Sequence, residues 1–286
     1  MIKNKREHKR AALIYFPQWQ GSGLTRELQI GAQTLFDYFH EGSPLRVPLS
    51  DEPLDTKYNI SGYHPLLTQL KSAEDLLYKN QPEKLVLIAG DCASEIAPID
   101  YLNSRYDGQL TVIWLDAHAD LNTPESSPSG HFHGMPLRLL LDGGFDGVPL
   151  RTSMRVKSQQ VILAGLRDPD APEQVYIIQN SISVLNGMLG WKQKLLDLVA
   201  EKISTYVYIH LDLDVLDPAS FPCVKCPTPA GFDSKELNAC LNQILDNYCV
   251  VGMALTETTA RTQEELEPIK DILDTYKRYI DGAYAN

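Results

Sequence analysis

Short apolar runs rich in β-branched and aromatic residues recur along the chain, each separated from the next by a longer, mostly polar or amphipathic stretch. The runs are AALIYF (11–16), KLVLIAG (84–90), LTVIWLD (110–116), QVILAGL (160–166), YVYIHLDLD (206–214) and VVGMALTE (250–257). Too short for confident helices, they read as strands buried on both faces. Between them, LLTQLKSAEDLLYK (66–79), GMPLRLLLD (134–142), WKQKLLDLVAEKI (191–203), SKELNACLNQILDN (234–247) and EELEPIKDILDTYKRYI (264–280) read as helices, the fourth with Asp233 and Ser234 both offering a cap. Such alternation predicts an α/β chain, a three-layer α/β/α arrangement around a mostly parallel sheet. No Pro/Gly/Ser-rich linker divides the 286 residues, so a single domain over 1–286 is expected.

A parallel sheet collects ligands outside the carboxyl ends of its strands. The polar clusters fall there: GDCASE after KLVLIA, DAHAD after TVIWL, GLRDPD after QVILA, DLDVLDP after YVYIHL, and TETT after VVGMAL. Asp116, His118 and Asp120 lie two residues apart, as do Asp212 and Asp214. If the strands continue through them, each set points to one side. Four converging carboxylates repel one another severely unless cations lie between them. Two divalent ions would neutralise them, and an oxygen-rich set with one imidazole favours Mn²⁺ over a structural zinc. A pair of ions sharing a water lowers its pKa, which is hydrolase chemistry. An isolated DxD is more often a turn or cap, and Asp217 before Pro218 reads as a turn residue.

The formal charge of −11 argues against a nucleic-acid face or an anionic membrane surface. The basic start KNKREHKR (3–10) is expected to be a solvated terminus, and AALIYF is too short for a signal-peptide core or a membrane span. Five cysteines, an odd number, make a disulfide scaffold unlikely and a reducing cytoplasm the expected compartment. CVKC at 223–226 is weak support for zinc and reads as two unpaired thiols. No Walker loop, strand-linked GxGxxG or HExxH occurs.

From AGDCAS (89–94) through DAHADLNTPESSPSGHFHGMP (116–136) and LDLDVLDPASFP (211–222) to LTETT (255–259), the chain resembles the ureohydrolase family of arginases, agmatinases, guanidino-acid hydrolases and formiminoglutamases, and is nearest to arginase. The resemblance implies the family's arginase-like α/β fold, a trimer or hexamer, two Mn²⁺ and a small guanidino substrate. It implies that Asp116 and Asp212 bridge the ions, that His118 and Asp214 complete one site, and that Asp120 serves the other. His133 matches the family's proton-shuttling histidine, and Glu257 the carboxylate that holds a guanidinium. Asn122 and Ser129 match contacts to an α-carboxylate, and Asp170 and Glu173 those to an α-amino group. The implied reaction is hydrolysis of L-arginine to L-ornithine and urea.

Three positions depart from that pattern. Cys92 stands where the family places a metal-binding histidine, leaving open a buried thiol or a thiolate ligand that would draw the first site towards Zn²⁺, Fe²⁺ or Co²⁺. His131 replaces an asparagine, and Cys226 a threonine near the guanidinium site. Another ureohydrolase substrate therefore stays open, as does a protein that binds an amino acid without turnover.

Overall fold

A computed structural model describes residues 11–39, 43–152, 154–185, 189–202 and 204–284; the basic run 3–10 lies outside them. Its centre is an eight-stranded parallel sheet. In chain order the strands are β1 (Ala12–Phe16), β2 (Leu45–Arg46), β3 (Leu85–Ala89), β4 (Leu110–Leu115), β5 (Val161–Ala164), β6 (Ser183–Leu185), β7 (Tyr206–Leu211) and β8 (Cys249–Leu255). Across the sheet they run β6-β5-β4-β7-β8-β3-β1-β2. All six apolar runs are strands, and β3 and β4 are buried at every position.

Alternate residues of each strand feed two separate cores, one on each face of the sheet. Ile113 and Leu115 of β4 join Leu195, Leu237, Leu241, Ile272 and Tyr276 on one side. Val112 and Trp114 join Leu66, Leu70, Ile99, Leu137 and Leu140 on the other. The first core is roofed by α1 (Glu27–Tyr38), α6 (Trp191–Ala200), α7 (Ser234–Asn247) and α8 (Lys270–Ile280). The second is roofed by α2 (Tyr63–Asn80), α3 (Ile96–Arg105) and α4 (Pro136–Asp142), with α5 (Ala171–Gln179) at its edge. These are the three layers expected. Asp233 caps α7, its Oδ1 accepting from the N–H groups of Lys235 and Glu236.

Helices α1, α3 and α5 carry too little periodicity to be seen beforehand. Every residue from Ile96 to Asn103 of α3 is buried, so no polar face marks it. In α1, Gly31 sits where a Cβ would lie 1.8 Å from the Thr258 carbonyl oxygen, a contact that holds this helix against the loop after β8. The expected helix 264–280 begins as a 3₁₀ segment, Glu264–Ile269, which contains Pro268, and becomes α-helical only at Lys270.

Candidate metal centre

Strand β4 ends at Leu115, and residues 116–118 bend instead of continuing extended. Asp116, His118 and Asp120 therefore converge through a bend, which corrects the simple alternation argument. The carbonyl of Ala117 accepts from the N–H groups of Arg167 and Asp168, that of Asp120 accepts from Arg138, and Asp120 has φ +53°. A non-glycine residue in the left-handed region is held there by its surroundings. Asp212 is both a cap and a member of the cluster: its Oδ1 accepts from the Asp214 N–H at 2.7 Å, opening a short 3₁₀ turn, Leu213–Val215. Asp214 Oδ1 in turn accepts from the Ala117 N–H at 3.1 Å, tying the loop after β7 to the loop after β4. Asp217 is a turn residue, accepting from the N–H groups of Ala219 and Gly231.

Asp116, Asp120, Asp212, Asp214 and Glu257 are each 5% exposed or less. Burial pushes Asp120 and Asp212 well above the usual carboxylate range, with Asp116 and Asp214 adding repulsion, and raises Asp214 to about 6. Burial also opposes ionisation of Asp116, but the His118 and His210 imidazoles overcome it and hold this carboxyl low. His118 Nδ1 lies 3.0 Å from Asp214 Oδ2 and 3.4 Å from Asp116 Oδ1. Asp120 Oδ2 and Glu257 Oε2 are buried without a hydrogen-bond partner. Among the described residues, three groups of donors each gather within 4.8 Å: Asp116, His118 and Asp214; Cys92, Asp116, Asp120 and His210; and Cys92, Asp212 and Glu257. Orphaned carboxylate oxygens beside these groups fit divalent cations. The first group, oxygen-rich with one imidazole, suits Mn²⁺.

Cys92 is buried, its thiol 3.3 Å from Asp212 Oδ2, and burial with four nearby carboxyls pushes it far above the ordinary thiol range. A cation would be needed to hold the thiolate there.

A cavity of about 200 Å³ opens above the cluster and brings the remaining candidates together. At its inner end His133 Nδ1 lies 3.2 Å from Glu257 Oε1; Glu257 has φ +63° and its N–H donates to the Gly90 carbonyl. Burial works against a charge on His133, but the Glu257 carboxylate raises its pKa above the ordinary imidazole value. Asn122, Ser129, His131 and Asp170 also line it, and Asn122 Nδ2 donates to Asp170 Oδ2 at 2.8 Å. Glu173 also borders the cavity, but both its oxygens are engaged by backbone, accepting from Leu121 and Asp170 N–H groups at 2.8 and 2.7 Å. Cys226 lines the wall, and it and Cys223 are free thiols.

The sequence profile of the arginase family matches residues 49–266. The chain belongs to the arginase family. Arginase from Staphylococcus aureus (strain COL) is 30% identical over 179 residues, covering 60% of this chain and 59% of that protein, so the match spans less than two thirds of the relative's length. Arginase from Bacillus caldovelox is 32% identical over 200 residues, covering 66% of this chain and 65% of that one. The solved structure of Entamoeba histolytica arginase in complex with L-ornithine superposes with a TM-score of 0.81 at 20% identity, covering 94% of this chain and 97% of that one. At that identity the likeness concerns the fold.

Within this family frame the structure adds residues that the sequence reading passed over. His210 lies on β7 one alternation before Asp212, and Glu95 closes GDCASE; both are wholly buried beneath the cluster. The period of two that singled out Asp212 and Asp214 includes His210, which was hidden inside an apolar strand. Arg167 had no signal: its guanidinium donates to the carbonyls of Gly165, Asp214, Thr228 and Pro229, joining the loops after β5 and β7.

Proposed function

We propose that the chain is a metal-dependent hydrolase of a small guanidino amino acid, with L-arginine to L-ornithine and urea as the reaction its site supports best. The observation that carries this reading is Glu257 Oε2, a buried carboxylate oxygen without a partner among the described residues, on a side chain that lines the cavity, meets His133 through Oε1 and is grouped with Cys92 and Asp212. A planar cation with several N–H donors satisfies such an oxygen. Two divalent cations, one held among Asp116, His118 and Asp214 and one among Cys92, Asp116 and Asp120, with Asp212 Oδ2 beside the Cys92 thiol, would supply Lewis acidity and a water that ionises near neutral pH.

The chain's own residues do the rest. Glu257 binds the guanidinium and fixes its plane, converting binding into orientation. Asp120 offers its unpartnered Oδ2 to the proton of the attacking water. Water oxygen bonds to the guanidinium carbon, the carbon–nitrogen bond to the amine breaks, and His133 Nε2 delivers a proton to the leaving amine. Asn122, Ser129, His131, Asp170 and Glu173, which line the cavity, receive the α-carboxylate and α-amino groups. Manganese as the resident ion, trimeric or hexameric assembly and a cytoplasmic setting belong to the same reading. No helix among the described residues is long and apolar enough to cross a membrane.

The decisive assay offers L-arginine, agmatine, a shorter guanidino acid and formiminoglutamate to protein loaded with each divalent ion, and follows urea, ammonia and formamide. Urea from L-arginine at the highest kcat/KM supports the proposal. Cys92 at the first site motivates the rival reading of binding without turnover, which wins if arginine binds and no substrate is consumed.

A further inference from the structure

His210 is 0% exposed, its ring stacked on the Trp114 indole with centroids 3.6 Å apart and planes 14° from parallel. Its Nδ1 lies 2.6 Å from Glu95 Oε1, itself wholly buried. With Nδ1–H donating to that carboxylate, a cation that displaces the second ring proton meets the lone pair of Nε2. Nε2 has no hydrogen-bond partner; the nearest carboxylate oxygen, Asp116 Oδ2, is 3.5 Å away and already accepts from the Trp114 indole N–H at 3.1 Å. A ring nitrogen of His210 falls within 4.8 Å of donor atoms of Cys92, Asp116 and Asp120, and Nε2 is the one that faces Asp116 while Nδ1 is taken up by Glu95. A buried ring nitrogen aimed at a thiol and two carboxylates, and backed by a carboxylate, has the arrangement of a metal-binding imidazole with its orienting partner.

We propose that His210 Nε2 and Cys92 Sγ are ligands of the first cation, together with Asp116 and Asp120, and that Glu95 fixes the His210 ring. The nitrogen that the Cys92 position no longer supplies comes instead from the adjacent strand β7. The resulting nitrogen, sulfur and two-oxygen set selects Zn²⁺, Co²⁺ or Fe²⁺ over Mn²⁺, while the neighbouring Asp116, His118 and Asp214 group keeps the harder preference. The chain would then hold two unlike cation sites. The inference rests on the metal-dependent reading above, but not on its substrate or on turnover.

The test uses the full metal-stripped chain. Co²⁺ titration of the wild type should fill two sites and raise a thiolate-to-metal charge-transfer band, and Zn²⁺ bound at the first site should show a sulfur neighbour at about 2.3 Å by X-ray absorption. Cys92→Ser should abolish the band, and His210→Gln should leave only the second ion tightly bound. Glu95→Gln, which keeps an acceptor for Nδ1–H but not its charge, should weaken the first site by about tenfold or more and leave the second unchanged. If His210→Gln does not fold, ¹⁵N-histidine spectra of Zn²⁺-loaded wild type and Glu95→Gln decide, a deprotonated Nε2 supporting ligation. A wild type without the thiolate band, a His210→Gln protein that binds both ions with unchanged affinity, or a His210 Nε2 still protonated in the loaded protein would each overturn the proposal, the last making the ring a fixed cation between Glu95 and Asp116. None of these readouts needs urea to form, so a chain that bound both ions this way without hydrolysing arginine would sink the substrate reading alone.

Discussion

His133 faces two tasks that pull its chemistry apart. Its Nδ1–H donates to the Glu257 carboxylate at 3.2 Å, and in the proposed reaction the ring also holds a proton for a leaving amine. Because Glu257 favours the charged ring over the cost of burial, His133 enters the reaction able to act as an acid near neutral pH. His133→Asn is expected to lower kcat by about 10²–10⁴ while KM changes little, since the guanidinium contact belongs to Glu257. Steady-state kinetics on L-arginine check this, and an unchanged kcat would remove His133 from proton transfer. At this scale the sequence was informative wherever chemistry-bearing residues followed a strand: Cys92, Asp116, His118, Asp120, Asp212, Asp214 and Glu257 were all legible there, and all gather in one cluster, buried except at His118. His210 and Glu95 were not, because a histidine inside YVYIHL reads as core until its neighbour across the sheet is known. Glu173 shows what motif matching leaves out: both its oxygens accept from backbone N–H groups, which only the fold reveals.

At the level of elements, the site depends on how rigidly the loops leaving β4, β5 and β7 are joined. Arg167 supplies that joint, with its Nη2 2.6 Å from the Asp214 carbonyl and 2.8 Å from that of Thr228. Arg167→Met would keep the stem but strand those carbonyls, at a cost of about 2–4 kcal/mol, and would weaken cation binding through displacement of Asp214. Urea unfolding beside a metal titration measures both effects; loss of neither would mean the loops are fixed by other contacts. Helix α2 offers a test away from the site. Burial and the nearby Asp100 carboxylate raise Glu74 to about 7 from an ordinary 4.5. The folded state therefore keeps the proton that the unfolded chain gives up near 4.5, so this residue's penalty grows as pH rises through 7. Glu74→Gln should be near neutral for stability at pH 5 and stabilising at pH 8, by thermal unfolding at both values, and an equal effect at the two would refute the shift. The strands were readable because each is a short apolar run, while α1, α3 and α5 were not, since burial on several sides or exposed apolar residues such as Val175 and Ile178 erase the helical period.

Across the whole molecule, a chain of net charge −11 buries Asp116, Asp120, Asp212, Asp214 and Glu257 in one cluster, and all of these but Asp116 line a shared cavity. Two like charges 4 Å apart repel by about 4 kcal/mol at an effective dielectric constant near 20, so the fold as it stands is electrostatically expensive. Without cations, the cluster must retain protons. Burial drives Asp120 and Asp212 far above their ordinary values and Asp214 to about 6, whereas in the unfolded chain all three ionise near 3.8. Raised carboxyls of this kind contribute stability at low pH that disappears as pH rises through the folded-state values, so metal-stripped protein should lose stability progressively from pH 5 to pH 8. Divalent cations compete with those protons, and their contribution should grow over the same interval. At 100 times its dissociation constant, a cation bound only by the folded state adds about 2.7 kcal/mol. Chelator-treated and reloaded protein compared by thermal unfolding should therefore diverge with rising pH. Sodium at equal ionic strength should not close the gap, because screening acts weakly on buried charge. Parallel pH dependences for the two forms would mean that the aspartates do not share their field with a cation, and the hydrolytic reading would lose its physical basis.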